Sequence, residues 1–346
     1  MNIVWHPDIL GDGYEQTTIP LGHDHEGETV CTLIAHRPEK NPNKLEETPE
    51  KPLFALLYIH GWNDYFFQTE LAEQIAACGG AFYAVDLQKY GRSLRPNHSF
   101  AYTSNLKAYD NDIKACLHII HHEQGKNIPT LLMGHSTGGL TAALWAHRHP
   151  NKLAGLILNS PWLELQVSER KRPLIYLLTS LVSMRNPKKQ MPSVGPNHYS
   201  VSLRGWKTSD GPLPSHLSSY PNDPSVVGFD IIDEWKLPEG APVYSGWLKA
   251  ILKAQRQVAK GLKITCPIHV GCSTHWTHAK KWTPQMRRAD TILNTDLIVK
   301  RATNLGNHVT IDKFPAKHDL TLSDPEVRQD YFAQLRRWIR MYITGL

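Results

Sequence analysis

Residues 131–140, Leu-Leu-Met-Gly-His-Ser-Thr-Gly-Gly-Leu, set one hydroxyl between glycines two positions before and two after it. An apolar run ends in Gly134-His135-Ser136-Thr137-Gly138, and a helix-compatible stretch follows to His149; this reads as strand, sharp turn and helix, the setting of a nucleophile elbow. Glycines at these two spacings let strand and helix approach without a Cβ clash, and the strained turn lifts the serine hydroxyl above the sheet. A serine hydroxyl is a weak nucleophile at neutral pH, so it needs a base within reach and a third group to orient that base. In the elbow architecture these partners follow in the order serine, acid, histidine. His318, in the loop after the last predicted strand, meets the requirement for the base. Asp290, 28 residues before it, is the candidate acid. Asp296 competes for that role, although it lies at a predicted helix start where a carboxylate also suits the helix dipole. Asp319, next to His318, is expected to tie down the loop.

Acyl transfer at such a serine develops an oxyanion, which needs donors fixed in advance. The backbone N–H of Thr137, after the nucleophile, and that of Trp62, in the earlier turn His60-Gly61-Trp62-Asn63-Asp64, are the expected pair. The His60 side chain reads as a brace for its own loop. Ser93 lacks an elbow setting and reads as structural.

These residues have to be carried by a scaffold, and the chain order supplies one. Residues 16–22 and 28–37 read as two strands around a turn, and 53–60 as a continuous apolar strand covered on both faces. A helix over 68–78, a strand over 81–87, a helix over 106–122, the elbow strand from Thr130 with its helix to Arg148, and a strand over 153–159 follow in alternation. Alternating strands and helices predict an α/β fold with a mostly parallel central sheet flanked by helices. The rhythm breaks after Pro161. Residues 162–246 are rich in Pro, Ser and Asn and read as an inserted cap, dividing the core into 1–161 and 247–346. Within the cap, 169–209 hold eight Lys or Arg against one acid, either a solvated face or an attraction to an anionic head group or lipid surface. The apolar stretch around Leu174, Leu177, Leu178, Leu181 and Met184 is either the cap's own small core or a wall of an acyl pocket. A helix over 247–260, a strand over 264–272, a helix over 294–305 and a strand over 308–314 resume the core. The last helix is expected to start with a capping box, Ser323 with Glu326, and to pack through Val327, Tyr331, Leu335, Trp338 and Tyr342.

Composition narrows the class. The 346 residues are 41% hydrophobic and carry a formal charge of +6, a mild basic excess that falls short of a nucleic-acid signature. Five scattered cysteines, an odd number, read as reduced core thiols and favour a cytoplasmic location. The first 13 residues contain Asp8 and Asp12 and no long apolar region, unlike a signal peptide, and no run of about 18 apolar residues predicts a membrane span. Nineteen histidines show no metal-ligand spacing, so no metal is expected, and oligomeric state is not indicated.

His60-Gly61-Trp62, the loop 86–93, Gly134-His135-Ser136-Thr137-Gly138-Gly139 and Ala316-Lys317-His318-Asp319 together resemble the α/β-hydrolase family, in its branch of monoacylglycerol lipases, lysophospholipases and serine aminopeptidase-like enzymes. The resemblance covers nearly the whole chain outside residues 1–13 and the cap. It implies the α/β-hydrolase fold, a Ser136, Asp290, His318 triad, no cofactor, and hydrolysis of a small-molecule carboxylic ester beneath a cap. The chain departs from the family pattern in one place: in many members the acid follows its strand within a few residues, whereas here 273–289, with Trp276 and Trp282, intervene. Two other functions fit the same residues. An aminopeptidase or amide hydrolase would need an acid for the substrate's ammonium, for which Asp230, Asp233 and Glu234 are available. A ligand-binding homologue would have kept the fold without catalysis. Dehalogenase or epoxide-hydrolase chemistry would call for a carboxylate at position 136.

Overall fold

Nine strands form one sheet among the described residues, 3–42, 44–192 and 197–345 of a computed structural model. They are β1 (His6–Pro7), β2 (Tyr14–Asp24), β3 (Gly27–His36), β4 (Phe54–Ile59), β5 (Gly80–Asp86), β6 (Thr130–His135), β7 (Gly155–Asn159), β8 (Ile268–Ser273) and β9 (Val309–Phe314). Their spatial order is β1-β2-β3-β5-β4-β6-β7-β8-β9. Pairing is antiparallel from β1 to β5 and parallel from β5 through β9. The helices are α1 (Thr69–Ala77), α2 (Tyr109–Gln124), α3 (Thr137–Arg148), α4 (Arg172–Arg185), α5 (His198–Leu203), α6 (Ser215–Ser218), α7 (Pro224–Val227), α8 (Ser245–Ala259), α9 (Thr295–Ala302) and α10 (Pro325–Ile339).

Every residue of β4 and β6 is buried, which is why both read as unbroken apolar runs. Side chains alternate between the two faces. Leu56, Tyr58, Leu131 and Met133 pack with Leu71 and Ile75 of α1 and Tyr331 and Trp338 of α10; Leu57, Ile59 and Leu132 pack with α2, α3 and α8 through Ile113, Leu140 and Ile251. Each fully buried Leu, Ile or Phe contributes roughly 1.5–3 kcal/mol, so this double-sided burial makes the parallel strands the rigid part of the molecule. The loops at their C-terminal ends carry residues 61–64, Ser136 and His318.

Residues 162–246, called the insert below, lie between β7 and β8. Lys188, just beyond α4, pairs with Glu26 in the β2–β3 turn, and Lys89 joins the same cluster. Three expectations change here. The apolar stretch of α4 is neither a core nor an enclosed wall: Leu174, Leu177, Leu178, Leu181 and Met184 all face solvent, at 48–67% exposure. Only Thr179 and Ser183 of that helix are buried, because α4 packs on one side only, where Arg256 of α8 lies 4.3 Å from the Tyr176 ring. Ser323 and Glu326 form no capping box. Helix α10 has Asp324 at its N-cap and Pro325 at its first position, while the Ser323 hydroxyl accepts from the Lys317 amide (3.0 Å) and donates to the Asp319 carbonyl (3.2 Å). Finally, Tyr342 is 44% exposed, because the chain turns π-helical over Arg340–Thr344 and leaves the packing stripe.

Candidate active site

Ser136 follows β6 with φ 53° and ψ −115°, a conformation that costs a non-glycine residue about 1–3 kcal/mol. Its surroundings hold it there. Its amide donates to the Asn159 carbonyl (3.0 Å), and its carbonyl accepts from Trp162 (3.0 Å) and Leu140 (3.2 Å). The flanking glycines are sterically required: a Cβ on Gly134 would collide with the Gly138 carbonyl, and one on Gly138 with the carbonyls of Ile59 and His60. The elbow is thereby wedged against the end of β4.

His318 sits in the loop between β9 and α10, and its Nδ1 lies 2.8 Å from Asp290 Oδ2. The other oxygen of Asp290 accepts from the amides of Ile292 (2.8 Å) and Leu293 (2.7 Å), so the fully buried carboxylate is satisfied on both sides. The 16 residues between β8 and Asp290 make an excursion that returns to its start. Asp290 N donates to His275 O, Thr277 N donates to Asp290 O (both 2.9 Å), and Trp276 bridges to Asp290. Asp290 therefore occupies the place of a residue a few positions beyond the strand end. Asp296 lies elsewhere: it is exposed in the first turn of α9 and accepts from Trp276 Nε1 at 3.1 Å. Asp319 accepts from Asn159 Nδ2 (2.7 Å), Gln68 Nε2 (3.2 Å) and both the amide and hydroxyl of Thr321 (2.9 and 2.6 Å). Burial alone would raise the Asp319 pKa; neighbouring His135 and the hydrogen bonds from Thr321 and Asn159 outweigh it and hold the carboxyl below its ordinary value.

The elbow and the histidine loop meet directly, since the ring of His135, the residue before Ser136, lies 4.8 Å from that of His318, centroid to centroid. Both Ser136 (8% exposed) and His318 (3%) are covered. The turn after β4 closes a third side: a Cβ on Gly61 would stand 3.3 Å from Ser136 Cβ. The Trp62 amide, outside any helix or strand, donates to no acceptor among the described residues. The Thr137 amide opens α3, where a first-position N–H has no intrahelical partner and the helix dipole is positive. Both expected donors thus flank the serine with unsatisfied N–H groups.

His60 Nε2 accepts from the Leu87 amide (3.1 Å), which leaves the proton on Nδ1, where it is donated to Gly61 O (2.7 Å). Burial lowers the pKa of this ring, in keeping with a neutral brace between two loops. Ser93 donates to the Asp86 carbonyl (2.7 Å) and is fully buried, away from the elbow. Asp230, Asp233 and Glu234 are exposed, and Asp233 pairs with Arg204 at 2.6 Å. The sequence reading missed Asp64, Lys236 and Tyr199. Lys236 Nζ donates to Asp64 Oδ1 (2.7 Å), and the Tyr199 ring stands edge-on to His318 at 5.4 Å. Asp64 has a signal, its place two residues beyond Trp62; Lys236 and Tyr199, far away in the insert, have none.

The model of the Hydrolase_4 family, described as serine aminopeptidase, S33, matches residues 50–275. The chain belongs to this family. The matched S33 segment contains Trp62, Ser136 and Thr137 and stops short of Asp290 and His318. A curated relative, the phospholipase YtpA of Bacillus subtilis, is 28% identical over 124 residues, which are 35% of this chain and 46% of that protein, so the alignment spans under half of YtpA. Solved structures share the α/β-hydrolase fold at low identity. A monoacylglycerol lipase from Paleococcus ferrophilus has a TM-score of 0.58 at 18% identity, covering 84% of this chain and 96% of that one. A highly thermostable carboxyl esterase from Bacillus coagulans, in complex with glycerol, has a TM-score of 0.61 at 16% identity, covering 95% and 99%. The S33 chain described here is thus an α/β-hydrolase, with a large, mostly parallel sheet between helical layers.

Proposed function

We propose that this S33-family protein is a serine hydrolase that cleaves carboxylic esters of lipid type, such as monoacylglycerols or lysophospholipids, through an acyl-enzyme on Ser136. In this reading Ser136 Oγ attacks the ester carbonyl while His318 Nε2 takes its proton, and the oxyanion is held by the amides of Trp62 and Thr137. His318 then hands that proton to the leaving alcohol. A water molecule, deprotonated by the same nitrogen, attacks the acyl-enzyme; the carboxylic acid leaves and the serine recovers its proton. Asp290 keeps Nδ1 protonated, so that Nε2 is the basic nitrogen, and stabilises the imidazolium. The observation that carries this reading is the 2.8 Å Asp290–His318 hydrogen bond beside a strained, glycine-wedged Ser136.

The lipid-type substrate is supported by the activities for which the similar proteins are named, monoacylglycerol lipase and phospholipase. It is supported also by the outer face of α4 in the insert, which we read as a cap over Ser136. Leu174, Leu177, Leu178, Leu181 and Met184 form an exposed stripe, with exposed Arg170 and Lys171 at one end and Arg185 and Lys189 at the other. None of these four cations forms an ion pair among the described residues, and an apolar stripe with basic ends suits the surface of an anionic lipid layer. Aminopeptidase action, which the family description raises, is less well supported: the acids available for an ammonium face solvent, and buried Asp64 already pairs with Lys236.

The test is Ser136→Ala. It should reduce turnover of a p-nitrophenyl ester by at least ~10⁴-fold and abolish labelling by a fluorophosphonate, with the fold retained. Activity surviving in that variant would sink the acyl-enzyme. Aminoacyl anilides turned over faster than medium-chain esters by the unaltered protein would move the substrate class to peptides.

A further inference from the structure

Asn63 has a left-handed backbone, φ 55°, and its side chain bonds one residue of the insert twice. Nδ2 donates to the Leu237 carbonyl (2.9 Å) and Oδ1 accepts from the Leu237 amide (3.0 Å), so the side chain pairs with that backbone as a neighbouring strand would. The next residue, Asp64, accepts from Lys236 Nζ at 2.7 Å, and both side chains are buried, 2% and 9% exposed. Two consecutive residues of the turn that carries the Trp62 amide are thus held by two consecutive residues of the insert. The same stretch reaches the other side of the site, because Lys236 Nζ lies 5.3 Å from the ring of Tyr199, whose edge contact with His318 is described above. Just upstream, the Ile232 amide donates to the Tyr65 hydroxyl (2.9 Å).

We propose that Asn63, Asp64 and Lys236 are positioning residues that couple the insert to the oxyanion donor: the Trp62 amide is aimed at the developing charge only while Lys236 and Leu237 are docked on residues 63 and 64. This rests on the acyl-transfer reading. The reason is geometric. Oxyanion donors act by being fixed before charge develops, and a displacement of about 1 Å costs on the order of 10²-fold in rate. The turn is anchored to the rigid sheet through β4 and His60, but its outer half, where the backbone is left-handed, makes its side-chain bonds to the insert. Removing one partner of a buried ion pair leaves the other charge uncompensated, which works against partial undocking. The insert, docked on residues 63 and 64, therefore completes the geometry of the oxyanion donor.

The experiment compares Asn63→Ala, Lys236→Met and Lys236→Arg with the unaltered protein by amide hydrogen exchange and by steady-state kinetics on a soluble p-nitrophenyl ester. Exchange of the Leu237 amide, which donates to Asn63 Oδ1, should rise by about 10-fold or more in Asn63→Ala and also in Lys236→Met, where that bond's own partners are unaltered, with β4 unchanged. In both, kcat should fall roughly 10- to 100-fold with KM within about 2-fold, and affinity for a trifluoromethyl ketone, which binds as an oxyanion, should fall in parallel. Lys236→Arg keeps the pair and should recover most of the loss. If Lys236→Met folds poorly because Asp64 is left unpaired, the charge-free pair Asp64→Asn with Lys236→Met replaces it. Unchanged exchange at Leu237 in Lys236→Met overturns the coupling, and so does a rise in KM with kcat intact. If the unaltered protein shows no Ser136-dependent turnover, it is the acyl-transfer reading that fails, and the positioning role falls with it.

Discussion

Helix α3 buries ten of its twelve residues, and α4 buries two of its fourteen. Both are rich in apolar side chains, so composition does not separate them. The difference lies in what surrounds each. Helix α3 starts at the elbow, packs against β6 and β7, and is covered by the core cluster through Leu140, Ala143 and Trp145. Helix α4 rests on α8 and turns its Leu and Met stripe outward. The comparison teaches that the molecule sets its elbow where packing leaves little freedom, and a Leu and Met stripe where nothing among the described residues covers it. On our reading the first region sets the chemistry and the second the substrate surface.

The sharpest test of the first region concerns the acid. Asp290→Asn should lower kcat/KM by roughly 10³- to 10⁴-fold by favouring the wrong imidazole tautomer, whereas Asp296→Asn should change it by less than about 3-fold. A larger loss at Asp296 would break the assignment. Next in size is Gly138→Ala. Its methyl group would press on the carbonyls of Ile59 and His60, and we expect about 1–3 kcal/mol of destabilisation together with a roughly 100-fold lower kcat, measured by denaturant unfolding and ester turnover. A variant of normal stability and rate would show that the elbow is looser than its packing implies.

For the second region, Leu177→Glu with Leu181→Glu replaces side chains that are 54% and 48% exposed. Partition onto phosphatidylglycerol vesicles in sedimentation should fall by about 10-fold or more, with little change in Tm. Equal partition would leave the stripe without its role. The smallest effect expected is at Asp112, inside the core beside Gln88, which donates to it from its amide (2.8 Å) and from Nε2 (2.7 Å). Burial pushes this carboxyl up to about 7, so from about pH 4 to 7 the folded chain keeps a proton that the unfolded chain has lost. The stability it contributes is complete below pH 4 and is lost as pH rises through 7. Asp112→Asn should therefore flatten the fall of Tm between pH 5 and 8, and an unchanged slope would count against a protonated Asp112.

What the sequence alone determined is local or periodic. The elbow is legible because its close packing admits no Cβ two residues away on each side and so requires glycine there, and the doubly buried strands because covering both faces leaves no polar alternation. The order of serine, acid and histidine narrowed the partners to a few residues. Tertiary structure decided the rest. Asp290 and Asp296 are six positions apart, and only the return of the excursion to pair at His275 and Thr277 brings one of them against His318. The α4 stripe has the same pattern whether buried or exposed, and the Lys236 pairing crosses 172 residues with no local signature. The physical reason is common to all three. The entropy of closing a long loop changes slowly with its length, so separation along the chain does not say which distant residue will meet which, and burial belongs to the neighbours an element acquires on folding.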